Sequence, residues 1–145
     1  MEFVYNLRAI GKGRPRINTY THVAYTPKAT QAYETALKAH TRALMSADDK
    51  IPYPAEIPLK IEICAFYAMP KSWSKKKRTE LDGKPMMQKP DCDNAAKAIL
   101  DALNGLVYND DKQITELHIT KVYSTEDKIT VKITEAENER EYGES

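Results

Sequence analysis

Cysteine and histidine, which build most disulfide frameworks and zinc sites, are scarce in this sequence of 145 residues. Its two cysteines, Cys64 and Cys92, lie 28 positions apart and form no CxxC pair. Its three histidines are scattered, and no two of them have the H-x-x-x-H spacing of a ligand pair on a helix. These absences argue against a disulfide framework and against a zinc site. Any metal site in this protein would therefore have to use oxygen ligands.

Long apolar segments are also missing. No apolar run approaches the roughly 20 residues that a membrane-spanning helix requires. At the N-terminus the basic residues follow the apolar ones, which is the reverse of a secretory signal. We therefore expect a cytoplasmic protein without membrane contact. A chain of this length can bury a core without a disulfide or metal staple, and one domain is expected over residues 1–145.

The formal net charge of only +1 hides strongly separated charges. Residues 1–38 contain six Lys and Arg against two acids, and residues 71–89 contain seven against two. Residues 125–145 contain three against seven, and from about residue 135 onward we expect a flexible acidic tail. This separation predicts a surface that faces a polyanion. Each basic run, taken alone, could equally be an ordinary solvated face.

The apolar pattern predicts an α+β fold with about four to five strands and three helices. Strands are expected over residues 2–8, 21–25, 59–67, 117–123 and 128–133, the last two forming a hairpin. Helices are expected from Pro27, capped by Thr26, to about Met45, from Ser74 to Gly83, and from Asp93 to Asn104. Residues 48–58, with three prolines, are predicted to be a connection, and residues 84–90 a flexible loop.

The stretch KPDCDNAAKAILDALNGLVYNDDKQI, residues 89–114, surrounds a short apolar helix with five aspartates. Asp91 and Asp93 lie at the start of this helix, where the helix dipole favours ionised carboxylates. Ordinary capping explains one of them, and an ion pair between Asp93 and Lys97 would be an alternative role. Neither alternative explains Asp110 and Asp111, which follow the helix.

A return of the chain toward the sheet would bring Asp110 and Asp111 near the helix start. Adjacent residues of an extended chain point to opposite sides, so only one of the two should face the helix. Each pair of carboxylates about 4 Å apart costs about 4 kcal/mol at an effective dielectric of about 20. Since a domain is stable by only about 5–15 kcal/mol, three converging carboxylates need a cation. Oxygen ligands with room for water suit Mg²⁺ or Mn²⁺.

Other phosphate and metal motifs do not fit. The acids lack the glycine of a calcium loop, and Gly11-Lys12-Gly13 lacks the Gly-Lys-Ser/Thr ending of a P-loop. What remains is a divalent metal held by carboxylates beside a basic surface. That combination suits hydrolysis of a phosphodiester, because the metal activates a water and neutralises charge on the phosphate. Lys97, one turn inside the helix, could reach the same phosphate.

These residues closely resemble the RusA family of Holliday-junction resolvases. The family pattern D-x-D-N-x-x-K, L-D-A-L and D-D-x-Q is present as Asp91–Lys97, Leu100–Leu103 and Asp110–Gln113. Upstream, the sequences GKGRPR at residues 11–16 and MPKSWS at residues 69–74 are similar to the phage and prophage branch of the family. The resemblance covers most of residues 10–123, and no residue of the central motif departs from the pattern.

The resemblance implies metal-binding carboxylates at Asp91, Asp93 and Asp111, a supporting acid at Asp110 and a catalytic lysine at Lys97. It also implies a mixed sheet, Mg²⁺ or Mn²⁺ as the cofactor, and a homodimer. Such a dimer cuts four-way DNA junctions symmetrically during recombination and repair.

Basic residues in two segments are candidates for DNA contact. They are Lys12, Arg14, Arg16, Lys71, Lys75, Lys76, Lys77, Arg78 and Lys89. Trp73, beside the lysine run, could stack on a base or belong to the core. Asp101 could pair with Lys97 or cap a neighbouring loop.

Three alternatives to a junction nuclease stay open at this point. A non-catalytic module that binds branched DNA would keep the basic loops but lose an aspartate, and all the aspartates are present. A metal-dependent phosphohydrolase acting on nucleotides would have little use for basic residues in such distant segments. The third alternative is that the acids serve only as helix caps and as a solvated loop.

Overall fold

A four-stranded sheet with two long helices packed on it forms the body of the protein. The computed structural model describes residues 1–13, 16–25, 27–45 and 52–137. The strands are β1 (Glu2–Tyr5), β2 (Arg16–Ile17), β3 (Ala24–Tyr25), β4 (Leu59–Ala68), β5 (Ile114–Ser124) and β6 (Lys128–Glu135). The helices are α1 (Lys28–Met45), α2 (Lys75–Leu81) and α3 (Cys92–Leu103). The α+β class is confirmed.

The sheet is mixed, with the strand order β1-β6-β4-β5. β4 pairs in parallel with β5 and antiparallel with β6, and β1 pairs antiparallel with β6. The two short strands β2 and β3 pair separately, so the strand predicted at residues 21–25 is reduced to its last two residues. The first strand is also shorter than predicted, because the chain leaves the sheet after Tyr5.

The predicted hairpin between β5 and β6 is wrong, because β4 lies between them. Strands that are two positions apart in a sheet lie about 9.5 Å apart, and three residues can span that distance. The link therefore passes over the end of β4, where the Asp127 carboxylate accepts a hydrogen bond of 2.9 Å from the amide of Ala68. A short polar link is compatible with either pairing, so the sequence could not distinguish them.

The core lies between the sheet and the helices. Every second residue of β4 is buried, beginning with Leu59, as expected of a strand with one face in the core. α1 and α3 contact each other, and they pack on β1 and β5 respectively. Tyr5 in β1 forms a hydrogen bond of 2.7 Å with Thr41 of α1, and burial raises the pKa of Tyr5 to about 12. This bond ties α1 to the edge strand β1.

Local signals set the helix ends as predicted. The Ser74 hydroxyl accepts a hydrogen bond of 3.1 Å from the amide of Lys77 and caps α2. Gly105, just beyond α3, has a φ of +79°, which favours glycine. The predicted cap Thr26 and the end of the acidic tail, residues 138–145, lie outside the described residues. None of the described helices is both long and apolar enough to span a membrane.

The predicted flexible loop at residues 84–90 is wrong for its first part, which lies along the free edge of β5. The Gly83 amide donates to the Tyr123 carbonyl at 2.9 Å, and the Tyr123 amide donates to the Lys84 carbonyl at 2.9 Å. The Met86 amide donates to the Lys121 carbonyl at 3.0 Å, and the Met86 side chain is buried. We call residues 83–90 the edge segment. It leads directly into α3.

The glycines of the Gly11–Gly13 loop permit close contact with the starts of α3 and α1. A Cβ on Gly11 would lie 2.3 Å from the Asn94 side-chain nitrogen, and one on Gly13 would lie 2.5 Å from the Thr30 hydroxyl. The Gly13 amide also donates to that hydroxyl at 3.0 Å. The basic loop is therefore attached to the helix that carries the aspartate motif.

Candidate metal centre and nucleic-acid surface

Asp91 is the N-cap residue of α3, but its carboxylate does not act as a cap. Its backbone is extended, with φ −65° and ψ 151°, and its side chain accepts no capping hydrogen bond from the described helix. An Asp at this position ordinarily accepts a bond from an amide of the first turn. Capping therefore does not account for Asp91, and its exposed carboxylate is available to a ligand.

A cleft between α3 and the start of β5 gathers most of the predicted catalytic residues. Helical spacing brings Asp93 and Lys97 to one side of α3, and Asp111 reaches the cleft from the turn before β5. Apolar side chains form much of the remaining lining, namely Ala96, Leu100, Leu117 and Ile119. The cleft thus combines carboxylates and an ammonium group on a largely apolar base.

Only one of the two adjacent aspartates lines this cleft, as the extended-chain argument predicts. The Asp110 carboxylate caps the short 3₁₀ turn that follows it by accepting from the amide of Lys112 at 2.9 Å. The Gln113 side chain completes the capping box and donates to the Pro54 carbonyl at 2.6 Å. Asp110 therefore has a structural role that leaves Asp111 directed into the cleft.

The electrostatics of the cleft favour neutralisation of Asp111. A hydrogen bond with the carboxyl of Asp110 raises the pKa of Asp111, and repulsion by Asp110 and Asp101 adds to that effect. Lys97 opposes it and lowers the pKa. The amide of Lys112 lowers the pKa of Asp110. A positive charge beside Asp111 would therefore relieve the repulsion among these acids.

Lys97 makes no ion pair with any acid in the described part of the chain, so the predicted alternative pair with Asp93 does not form. Asp101 bonds instead to Lys12 of the glycine loop, which also lies 3.7 Å from Glu34. Asp101 raises the pKa of Lys12. The Lys97 ammonium is consequently left for a ligand, while Lys12 fixes the loop to α3.

Tyr108 supports the cleft from the core side. Its side chain is buried, and its hydroxyl donates to the Leu100 carbonyl at 2.7 Å. Burial raises the pKa of Tyr108, and the carboxylates of Asp111 and Asp101 raise it further. The phenol is therefore held as a neutral hydrogen-bond donor beside the two acids.

Asp91 lies in an adjoining cleft rather than in the one that contains Asp93 and Asp111. This second cleft is lined by Asp91 together with Arg8, Ala9, Ile10, Gly11, Lys89, Pro90 and Asn94. Within the described ranges, no three His, Cys, Asp or Glu side chains are grouped closely enough to hold one metal ion. The structure thus brings two of the three predicted ligands together, and the predicted metal site stays a prediction.

The candidate DNA contacts in the second basic segment are well exposed. Lys71, Lys75 and Lys76 are exposed on and before α2, while Arg78 is half-buried. Lys77 is exposed too, with its ammonium 4.1 Å from the centre of the Trp73 ring. Contact with DNA by these residues stays a prediction.

The Trp73 ring is partly covered by contacts within the protein. Its ring packs edge-on against Tyr123 with the centroids 5.4 Å apart, and Lys77 lies over it. Of the first basic segment, Arg14 lies outside the described residues, and Arg16 opens β2. Lys89 lines the cleft that contains Asp91.

Sequence reasoning missed two basic residues near the aspartates. Arg8 lines the cleft of Asp91, lies 4.9 Å above the Tyr67 ring and pairs with Asp127 at 3.1 Å. The sequence predicts a strand through Arg8, whereas the chain leaves the sheet after Tyr5, so the alternating pattern gives no sign that Arg8 lines a cleft. Lys121 binds the edge segment through backbone carbonyls, and side-chain patterns give no sign of such acceptors.

Comparison with known proteins gives a relative and a family for this chain. Over 82 residues the chain is 40% identical to the uncharacterized protein YqaN of Bacillus subtilis strain 168, a match that covers 54% of this chain. The chain spans only 58% of the length of that relative. The family described as endodeoxyribonuclease RusA matches residues 6–134, which include both clefts and the sheet apart from the strand β1 and the last residue of β6. The chain therefore belongs to the RusA endodeoxyribonuclease family.

Proposed function

We propose that this protein is a Mg²⁺-dependent endodeoxyribonuclease that resolves four-way DNA junctions by paired symmetric nicks. The observation that carries the proposal is the shared cleft of Asp93, Lys97 and Asp111, in a chain of the RusA family. Its biological setting would be DNA recombination and repair in the cytoplasm. A homodimer would supply the two centres that two strands require.

The two carboxylates that share the cleft beside α3 are ligands of the kind that a hard divalent cation takes. Asp93 and Asp111 present carboxylate oxygens to one cleft, and oxygen ligands are those that Mg²⁺ prefers, with Mn²⁺ as a substitute. Asp91 is the proposed third ligand. Its carboxylate is exposed and makes no capping bond with the described helix, so it can turn toward the other two. A bound ion would supply Lewis acidity and lower the pKa of a water molecule.

The protein side chains would perform the remaining tasks. The Lys97 ammonium, without a described acid as partner, would lie against the phosphate and stabilise the charge that develops there. Asp110 would act indirectly, by capping the turn that directs Asp111. The bond between Lys12 and Asp101 would keep Asp101 from pairing with Lys97.

The basic residues suggest a path for the DNA. Arg8 and Lys89 line the cleft of Asp91 and would receive phosphates adjacent to the one that is cut. The exposed lysines of α2 would contact the backbone farther away. Such contacts fix the position of DNA without reading its sequence.

One observation favours an alternative, a non-catalytic module that binds branched DNA. Asp91 lies in its own cleft, beside basic residues, and could serve there without a metal. The alternative predicts binding of junctions without cleavage under any metal condition.

Replacement of the aspartates tests the proposal directly. Asp91→Asn, Asp93→Asn and Asp111→Asn should each reduce cleavage of a fixed four-way junction in Mg²⁺ by more than about 100-fold, since even outer partners of a metal can be worth 10–100-fold. Junction binding should be unchanged or tighter, because repulsion of DNA phosphates decreases. Nicks are mapped on denaturing gels and binding is measured by fluorescence anisotropy.

The matched control is Glu126→Gln, which removes one exposed acid from the turn between β5 and β6. It should cleave like the wild type. A linear duplex of the same sequence should be cut poorly by all variants. Wild-type protein that binds the junction but never cuts it in Mg²⁺ or Mn²⁺ would establish the non-catalytic alternative.

Lys97→Ala should fold and bind junctions yet cleave about 10²–10³-fold more slowly, because a charge that acts in the transition state is lost. Lys97→Arg should recover only part of the rate, since a planar guanidinium cannot reproduce a compact ammonium. In mixed dimers with one Lys97→Ala subunit, junctions should be nicked on one strand and seldom resolved. Single-turnover kinetics on a cruciform plasmid separate nicked from linear products.

One result would contradict the role of Lys97, and a second would contradict paired cleavage by a dimer. One is normal cleavage by Lys97→Ala. The other is a monomer on DNA in analytical ultracentrifugation, because a single centre cannot make paired cuts without rebinding.

The α2 lysines should contribute to DNA affinity and not to chemistry. The triple variant Lys75→Ala, Lys76→Ala and Lys77→Ala should weaken junction binding and reduce the slope of log K against log salt. Each lost phosphate contact should reduce that slope by about 0.9. Lys132→Ala, an exposed lysine of β6, is the control and should change neither quantity. If the triple variant keeps the wild-type slope, these lysines do not belong to the interface.

A further inference from the structure

The edge segment changes its mode of attachment just before it reaches Asp91. Up to Met86 it is held to β5 by main-chain hydrogen bonds. Beyond Met86 the chain departs from the strand, and the side chain of Met87 is 91% exposed. The last residues before α3 are therefore held by other contacts, one of which is the bond of 3.1 Å from the Gln88 amide to the Met86 sulfur.

The contact that ties these residues to the sheet is the side chain of Lys121 in β5. Its ammonium donates to the carbonyl of Gln88 at 2.6 Å and to the carbonyl of Pro90 at 2.5 Å. An ammonium has three donors, so two of them are used on this segment. Bonds from a charged donor are shorter and stronger than neutral ones. Lys121 makes no ion pair with an acid in the described ranges.

Both acceptors lie within three residues of Asp91. The Pro90 carbonyl belongs to the peptide group that joins Pro90 to Asp91, so Lys121 fixes the plane from which the Asp91 side chain projects. Gln88 is two residues earlier, and a second bond there prevents the segment from rotating about the first. The two bonds therefore fix the backbone before Asp91, while its carboxylate can still rotate about the side-chain torsions toward either cleft.

Lys121 also links the two clefts. It lies on the same face of β5 as Leu117 and Ile119, because the three are every second residue of the strand. Leu117 and Ile119 line the cleft of Asp93, Lys97 and Asp111. Its ammonium ends at Pro90, which lines the cleft of Asp91. One side chain thus connects the strand beneath the first cleft to the wall of the second.

We propose that Lys121 is a positioning residue for the metal centre: it holds the segment from Gln88 to Pro90 so that Asp91 can join Asp93 and Asp111 on one divalent cation. This inference rests on the proposed function. Lys121 touches neither the cation nor the phosphate in this role. Its contribution is therefore to metal affinity and not to the chemical step.

The test measures metal binding apart from activity. Mn²⁺ is titrated into the DNA-free protein by isothermal titration calorimetry, using wild type, Lys121→Met and Lys121→Arg. Lys121→Met keeps the length of the side chain but removes its donors, and it should weaken Mn²⁺ binding by about tenfold or more, as loss of a supporting partner does at other metal sites. Lys121→Arg should give an intermediate affinity, because its fork differs in shape. Lys132→Met, on β6, is the control and should bind like the wild type.

Two further readouts separate positioning from other roles. The Mg²⁺ concentration for half-maximal cleavage should rise with Lys121→Met, while the rate at saturating Mg²⁺ should recover most of the wild-type value. Junction binding without metal should be unchanged. Weaker metal-free junction binding would instead make Lys121 a phosphate contact, and a reduced rate at saturating Mg²⁺ would make it a catalytic residue. Either result overturns the proposal.

Failure of this inference is distinguishable from failure of the proposed function. If the wild type binds Mn²⁺, Asp93→Asn does not bind it, and Lys121→Met binds it as tightly as the wild type, only the positioning role is overturned. Wild-type protein that binds no Mn²⁺ would overturn both. If Lys121→Met does not give a cooperative melting curve, Lys121→Arg decides, and an affinity equal to the wild type overturns the proposal.

Discussion

The parallel pairing of β4 with β5 is the constraint on which the candidate site depends. Parallel neighbours cannot be joined by a tight turn, so the chain must leave the end of β4 and return to the start of β5 through a long crossover. Residues 69–113 form that crossover, and they contain α2, the edge segment, α3 and the turn with Asp111. All the proposed metal ligands and the second basic segment therefore belong to one connection. Within it, α3 packs on the face of β5, and the edge segment pairs with the edge of β5.

The contacts of the charged residues around this crossover leave the cleft able to bind a ligand. Two nearby lysines do not neutralise the proposed metal ligands: Lys12 pairs with Asp101, and Lys121 binds backbone carbonyls. Lys97 is not paired with any described acid, while repulsion and a shared hydrogen bond raise the pKa of Asp111. The site thus retains a need for positive charge beside Asp111 and a positive group able to meet a phosphate.

The sequence predicted much of this arrangement and failed at identifiable points. α3 was predictable because its apolar spacing and Gly105 are local signals, and the same spacing placed Asp93 and Lys97 on one side. The direction of Asp91 was not predictable, since it precedes the helix and its backbone is extended, so helical periodicity does not extend to it. The edge segment and Lys121 were missed because their partners are backbone groups, which every residue carries. The pairing of β5 and β6 was wrong because a three-residue link fits a hairpin and a passage over β4 equally well.

The central claim is that the carboxylates of Asp91, Asp93 and Asp111 meet on one divalent cation. Anomalous diffraction from crystals grown with Mn²⁺ tests it most directly. We expect an anomalous peak between the start of α3 and the turn before β5, with an oxygen of each aspartate at coordination distance and the Lys121 ammonium still bonded to the Pro90 carbonyl. A map with no peak at these aspartates, or a peak bound without Asp91, would contradict the account.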